Sequence, residues 1–265
     1  MKPLNQLPRE QARQVTTVFT DIDDTLTTGG KLSAQAYEAL ESLQRRGLRV
    51  IPVTGRPAGW CDHIARMWPV DGVIGENGAL YMWRDGASGK LHTRHLLEED
   101  IRRENTARLA AVREKILREV PGCAVASDQF CRQYDLAIDF CEDVPSLELD
   151  VIDCIVRIME EAGMTAKISS IHVNGWFGDY DKLSMARLMM QERYDIDLDD
   201  EAERHRCVFA GDSPNDAPMF AYFPLSVGVA NVLDFADRLP HPPRFITHRA
   251  SGAGFAELTQ HLLEP

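Results

Sequence analysis

Basic residues are the scarce class in this chain. Lys and Arg number 29 against 41 Asp and Glu, which leaves a formal net charge of −12. That balance excludes a general nucleic-acid or anionic-membrane surface, because both require local positive charge. An anionic small ligand would need a local exception, built from a metal ion or from a few Lys and Arg side chains. No apolar run reaches the roughly 18 residues of a membrane span, and residues 1–14 lack the apolar stretch of a signal peptide. A cytoplasmic location is expected. The 6 cysteines include no Cys-x-x-Cys pair, so neither a zinc cluster nor a thioredoxin-like site is indicated. They read as small hydrophobes in a reducing compartment. Internal repeats and low-complexity stretches are also absent. What remains is ordinary globular material: 44% hydrophobic residues suffice for a core, and 265 residues for one large or two modest domains.

Residues 15–20 (VTTVFT) form a β-rich run that stops at an acidic cluster. Residues 31–46 read as a helix, with Ser33 able to cap it, Tyr37, Leu40 and Leu43 on one face, and Gly47 ending it. A strand at 48–53, a turn at 54–57, a helix at 58–68 opened by Pro57 and a strand at 71–75 follow. This β-α-β-α-β order predicts a parallel sheet covered by helices. After residues 76–78 the pattern changes. Strands at 79–83, 134–140, 165–168 and 170–176, a turn at 85–90, and helices at 98–120 and 147–162 suggest a separate α+β unit. From residue 181 the first pattern returns, with helices at 181–193, 214–221 and 254–263 and strands at 206–210, 225–229 and 244–247. The expected fold is α/β: a Rossmann-like, doubly wound parallel-sheet core from residues 1–81 and 177–265, with an α+β domain inserted at 82–176.

Three polar clusters fall at predicted strand ends: Asp21-Ile22-Asp23-Asp24-Thr25, Thr54-Gly55-Arg56, and Gly211-Asp212-Ser213-Pro214-Asn215-Asp216. In doubly wound sheets, ligands bind beyond the carboxyl ends of the strands. Taken singly, these acidic residues are equally well turn formers or helix caps, and Lys182 an exposed first-turn residue. Taken together, parallel strands bring the clusters to one edge, where the repulsion of their carboxylates calls for a cation. Hard oxygen donors in an open site favour Mg²⁺. Trp60, Trp68, Trp83 and Trp176 read as core residues.

Asp21-Ile22-Asp23-Asp24-Thr25-Leu26, Thr54, Lys182, and Gly211-Asp212 through Asp216 resemble, in that order, the four motifs of the haloacid dehalogenase superfamily. The resemblance covers the whole core, residues 15–78 and 177–262. The insert between the second and third motifs, the short 27–31 loop, and Glu76-Asn77-Gly78-Ala79 resemble the branch with an α/β cap. That branch includes the Cof-type, sucrose-phosphate and mannosyl-3-phosphoglycerate phosphatases. Two positions depart from it: Asp24, where many members carry glycine, and Leu183, where Cof-type members usually do.

The resemblance implies a Mg²⁺-dependent phosphomonoester hydrolase of small phosphorylated metabolites, with a sugar phosphate as the substrate class. It implies Asp21 as the nucleophile, forming an aspartyl-phosphate, and Asp23 as the acid and base toward the leaving oxygen and then water. Asp21, the main-chain carbonyl of Asp23, Asp212 and Asp216 would hold the metal. Thr54, Gly55, Lys182 and Asn215 would bind the phosphoryl group. Thr25 is a structural residue of the turn. Arg56 either pairs with Asp24 or touches substrate, and Asn77, His172 and Asn174 are substrate candidates, the last two equally readable as ordinary strand positions. Other readings stay open: a phosphomutase of the phosphomannomutase type, a non-catalytic regulatory binding protein, and a receiver-like phosphoacceptor.

Overall fold

A computed structural model describes residues 1–169 and 171–264. Its strands are β1 (Lys2–Pro3), β2 (Thr17–Thr20), β3 (Thr27–Thr28), β4 (Lys31–Leu32), β5 (Arg49–Pro52), β6 (Val73–Gly75), β7 (Leu80–Arg84), β8 (Leu91–His95), β9 (Ala124–Val125), β10 (Asp135–Asp139), β11 (Thr165–Ile168), β12 (His172–Trp176), β13 (Cys207–Gly211), β14 (Leu225–Gly228) and β15 (Phe245–Ile246). The principal helices are α1 (Arg9–Gln14), α2 (Ala34–Arg45), α3 (Ala58–Met67), α4 (Glu99–Glu119), α5 (Leu149–Glu161), α6 (Lys182–Tyr194), α7 (Glu201–Arg204), α8 (Ala217–Tyr222) and α9 (Ser251–Leu263).

Strands from both ends of the chain form a parallel six-stranded sheet in the order β1-β15-β14-β13-β2-β5. A parallel bridge from Val53 to Ile74 carries this sheet on to β6, where the antiparallel strands β7 and β8 continue it. The central strands read as nearly unbroken apolar runs because helices cover both faces. Alternation along each strand divides those runs. Val18, Val50 and Val208 face Leu40 and Leu43 of α2 and Phe255 and Leu258 of α9. Phe19, Ile51 and Phe209 face Met185 and Met189 of α6 and Met219 and Phe220 of α8. This is the expected doubly wound α/β arrangement. Each such side chain contributes about 1.5–3 kcal/mol through burial.

A second sheet, antiparallel in the order β11-β12-β10-β9, lies within the insert. With α4 and α5 it encloses its own core, including Ile116, Leu136, Ile138, Ile155 and Val173. The expected boundary at residue 82 falls inside β7.

Several local expectations are corrected. Helix α2 begins only at Ala34, after Ser33, whose side chain accepts the Ala36 N–H at 3.2 Å; Lys31 and Leu32 pair instead with Thr27 and Thr28 in a hairpin. Tyr37 leaves the apolar face and donates its hydroxyl to the Met67 carbonyl. Residues 214–221 start as a 3₁₀ turn, Pro214–Asp216, before α8. The strand expected from residue 170 begins at His172; Ser170 itself lies outside the described residues. Trp176 is buried, but Trp60 is exposed and stacks on the Arg56 guanidinium. Among the described residues no helix is long and apolar enough to cross a membrane.

Candidate active site

Asp21 is the first residue after β2, and Asp212 the first after β13. The strands pair in register, Thr20 opposite Ala210, so the two carboxylates emerge at the same edge of the sheet. The Asp21 N–H donates to the Ala210 carbonyl at 2.9 Å and seals the strand end. A third carboxylate comes from the turn after β13. Asp216 Oδ2 accepts the N–H of Asp212 at 3.1 Å and of Ser213 at 3.4 Å, folding the turn back onto its own strand. Gly211 is required by this arrangement, since a Cβ there would lie 2.4 Å from Asp216 Oδ2.

Lys182 opens α6, whose start is fixed by a capping box between Asp181 and Ser184. Its side chain is 3% exposed, and Nζ donates to Asp21 Oδ1 and to Asp216 Oδ1, each at 2.7 Å. The exposed first-turn reading of Lys182 is thereby excluded. One ligand oxygen from each of Asp21, Asp212 and Asp216 lies within 4.8 Å of the others, and all three residues are buried.

Three buried carboxylates against one ammonium leave an excess of negative charge. Burial pushes the Asp21 carboxyl up to about 8 despite Lys182, with Asp216 and Asp23 adding to the rise. Burial, then Asp21 and Asp216, raise Asp212 well above the ordinary carboxylate range. Burial alone would lower the Lys182 ammonium, but Asp21 and Asp216 outweigh it and hold the group charged. Thr25 donates to Asp212 Oδ1 and Asn231 to Asp212 Oδ2, each at 3.1 Å, so the carboxylate is aimed by both oxygens. An oriented set of hard oxygen donors with uncompensated charge fits a divalent cation.

The profile of the haloacid dehalogenase-like hydrolases matches residues 18–114. A phosphoglycolate phosphatase of Methanopyrus kandleri is 27% identical over 256 residues, covering 93% of this chain and 97% of the relative. Among solved structures, Thermoplasma acidophilum 0175 superposes with a TM-score of 0.71 at 19% identity, covering 94% of this chain and 98% of that one. The sucrose-phosphatase of Synechocystis, solved with sucrose and phosphate, superposes with a TM-score of 0.63 at 18% identity and covers 94% of this chain and 98% of its own. The chain thus resembles the haloacid dehalogenase-like hydrolases over residues 18–114 and shares the fold of these solved structures along its length.

Asp23 does not join the three-carboxylate cluster through its side chain. That side chain receives a two-pronged hydrogen bond from Arg56, with Nε and Nη2 within 3.0 Å of its oxygens. Of the two readings open for Arg56, the ion pair is made with Asp23 and not with Asp24. Asp24 adopts φ of 55°, a left-handed conformation that glycine takes most readily and Asp tolerates. Glycine or aspartate can therefore occupy this turn. Thr54 is fully buried, with its N–H on the Ile74 carbonyl and its hydroxyl accepting the Arg56 N–H at 3.0 Å.

One cleft is lined by Asp21, Asp23, Gly55, Arg56, Ser213 and Asn215 on one side and by Arg132, Ser169, Ile171, His172 and Asn174 from the insert on the other. The candidates His172 and Asn174 thus share a cleft with the acidic residues. Asn174 donates to Asp135 at 2.9 Å. Asn77 is set deeper: it has φ of 55°, is buried, and crowds Gly55, where a Cβ would lie 3.1 Å from its Oδ1.

Sequence reasoning missed four contributors. Arg132 donates to the Gly55 carbonyl at 2.9 Å and to Asp128 and Asp135, tying the insert to the second-motif loop. Glu142 lies 2.9 Å from His172 Nε2 and 3.8 Å from Arg56. Glu76, in Glu76-Asn77-Gly78, accepts N–H groups from Ala58, Gln133, Tyr134 and Asp135. Asn231 holds Asp212 from a segment with no sequence signal. Only Glu76 carried one, a charged residue inside a buried-looking Gly-Glu-Asn-Gly run.

Proposed function

We propose that this protein is a Mg²⁺-dependent phosphomonoester hydrolase that works through an aspartyl-phosphate on Asp21 and takes a small phosphorylated metabolite, with sugar phosphates as its substrate class. The observation that carries the reading is the buried cluster of Asp21, Asp212 and Asp216 around the Lys182 ammonium. Asp21, Asp212 and the main-chain carbonyl of Asp23 would hold Mg²⁺, with Asp216 beside them. Bound there, the ion would neutralise charge on both the carboxylate and the phosphate ester.

The chain's own groups account for the rest. The Asp21 carboxylate attacks phosphorus, and the bond from phosphorus to the ester oxygen breaks. Asp23 gives that oxygen a proton, then accepts one from the water that cleaves the aspartyl-phosphate. Such acid and base help is worth about 10²–10⁴ in rate. Lys182 places positive charge beside the transferring group, and Thr54, Gly55 and Asn215 donate to its oxygens. Arg56, Asn77, His172 and Asn174 are proposed to meet the rest of the substrate. The insert, residues 82–176, is proposed as a cap domain over a core of 1–81 and 177–265; its separate hydrophobic core supports that division.

Release of inorganic phosphate from a sugar-phosphate panel with Mg²⁺ tests the proposal, with Asp21→Asn as the blank. Turnover that survives in Asp21→Asn, or isomerised sugar phosphate in place of inorganic phosphate, would sink it.

A further inference from the structure

The cleft is short of usable positive charge. Arg132 is spent on Asp128 and Asp135, at 3.2 and 3.0 Å. Arg56 is spent on Asp23 at 2.9 Å, with Asp128 at 3.6 Å and Glu142 at 3.8 Å behind it. Two guanidinium groups therefore face four carboxylates, quite apart from the acidic cluster around Asp21. Glu142 is held in place by its own N–H, which donates to Asp139 at 2.8 Å in the turn after β10.

His172 adds no charge to this inventory. Its residue is 3% exposed, and burial, then Arg132, lower its imidazolium to about 4. Its Nε2 lies 2.9 Å from Glu142 Oε2 but outside hydrogen-bonding geometry, and it has no hydrogen-bond partner among the described residues. The nitrogen is itself buried beside Glu142, so it offers the cleft neither charge nor an exposed hydrogen-bonding atom.

Resting on the phosphatase reading above, we propose that this cleft selects phosphate esters whose leaving group is uncharged. Asp128 and Glu142, set about Arg56, repel leaving groups that carry a carboxylate or a second phosphate. A carboxylate placed against Arg56 must displace Asp23 or meet Glu142 across a few ångströms. Either effect disfavours it by about tenfold or more in a site of intermediate dielectric. The assignment departs from the name of the Methanopyrus kandleri relative, whose named substrate has a carboxylate-bearing leaving group.

Glycerol 3-phosphate and 3-phosphoglycerate make a matched pair, differing at the carbon farthest from phosphorus as a hydroxymethyl against a carboxylate. With Mg²⁺ present, kcat/KM of the wild-type protein is expected to favour glycerol 3-phosphate at least about tenfold. Glu142→Gln or Asp128→Asn should narrow that ratio several-fold, chiefly through KM for 3-phosphoglycerate. Turnover of p-nitrophenyl phosphate together with a wild-type preference for 3-phosphoglycerate, or a ratio unmoved in both folded variants, would overturn the charge selection alone. Failure to release phosphate from all three esters would overturn the phosphatase reading, and this one with it.

Discussion

Lys182 Nζ lies 2.7 Å from Asp21 Oδ1 although 161 residues separate the two in the chain. The same ammonium reaches Asp216 at 2.7 Å, so a single cation joins the strand end of β2 to the turn after β13. Neither carboxylate has solvent to turn to if the ammonium is removed.

Lys182→Met is accordingly expected to destabilise the metal-free protein by about 3–5 kcal/mol, the usual consequence of stranding a buried charge. Urea unfolding measures this. Added Mg²⁺ should restore part of the loss, because it supplies the missing counter-charge, while phosphate release stays at least about 100-fold down. A variant as stable as wild type without metal would contradict the buried-pair account.

The carboxylate cluster should respond to metal as a ligand site. A Mg²⁺ concentration 100 times the dissociation constant stabilises the native protein by about 2.7 kcal/mol. The thermal shift should be lost in Asp212→Ala. It should also weaken in Gly211→Ala, where the new methyl group would push Asp216 out of position. Equal shifts in all three proteins would place the ion elsewhere.

Arg56→Lys should lower kcat about tenfold or more with a smaller change in KM. A lysine ammonium cannot reproduce the two-pronged grip on Asp23. Steady-state kinetics on one good ester decide this. An unchanged kcat would mean that the orientation of Asp23 does not matter to turnover.

Glu76 gives a pH-dependent prediction. Burial, and then Asp135, push its carboxyl up from 4.5 to about 7. A carboxyl raised on folding stabilises the fold while protonated. Its contribution is complete below about 4.5 and is lost as pH climbs through about 7. The urea midpoint of metal-free wild type should therefore fall from pH 5 to pH 8, and less steeply in Glu76→Gln. That variant should also be less stable throughout, by about 1–3 kcal/mol for each main-chain N–H left without its acceptor. Parallel pH curves for the two proteins would remove Glu76 from the account.

The chemistry of the core edge was legible because it is written contiguously. Asp21 and Asp212 each follow an apolar run, and parallel strands bring run ends together whatever the details of packing. Lys182 was legible only through family resemblance, since a lysine opening a helix carries no local mark of burial. Other features depend on contacts that no short stretch encodes. Arg56 lies as near in sequence to any candidate partner as to Asp23, and only the turn at Asp24 decides between them. Arg132, Glu142 and Asn231 act from loops whose course is set by the packing of the insert and the last helices. The β7–β8 extension was half hidden, because Leu91-His92-Thr93-Arg94-His95 lacks the apolar alternation of a buried strand.

Gly78 has φ of 106°, and a Cβ there would strike the Asp181 carbonyl at 2.1 Å, so the chain leaves toward the insert and returns from it at one point. The core sheet must pair Thr17 with Cys207, and a random chain closing so long a loop gives up entropy before any strand contact forms. An insert that has already folded holds its two ends together and shortens that loop. Independent folding of the insert therefore lowers the entropy cost of docking the chain's second half onto its first.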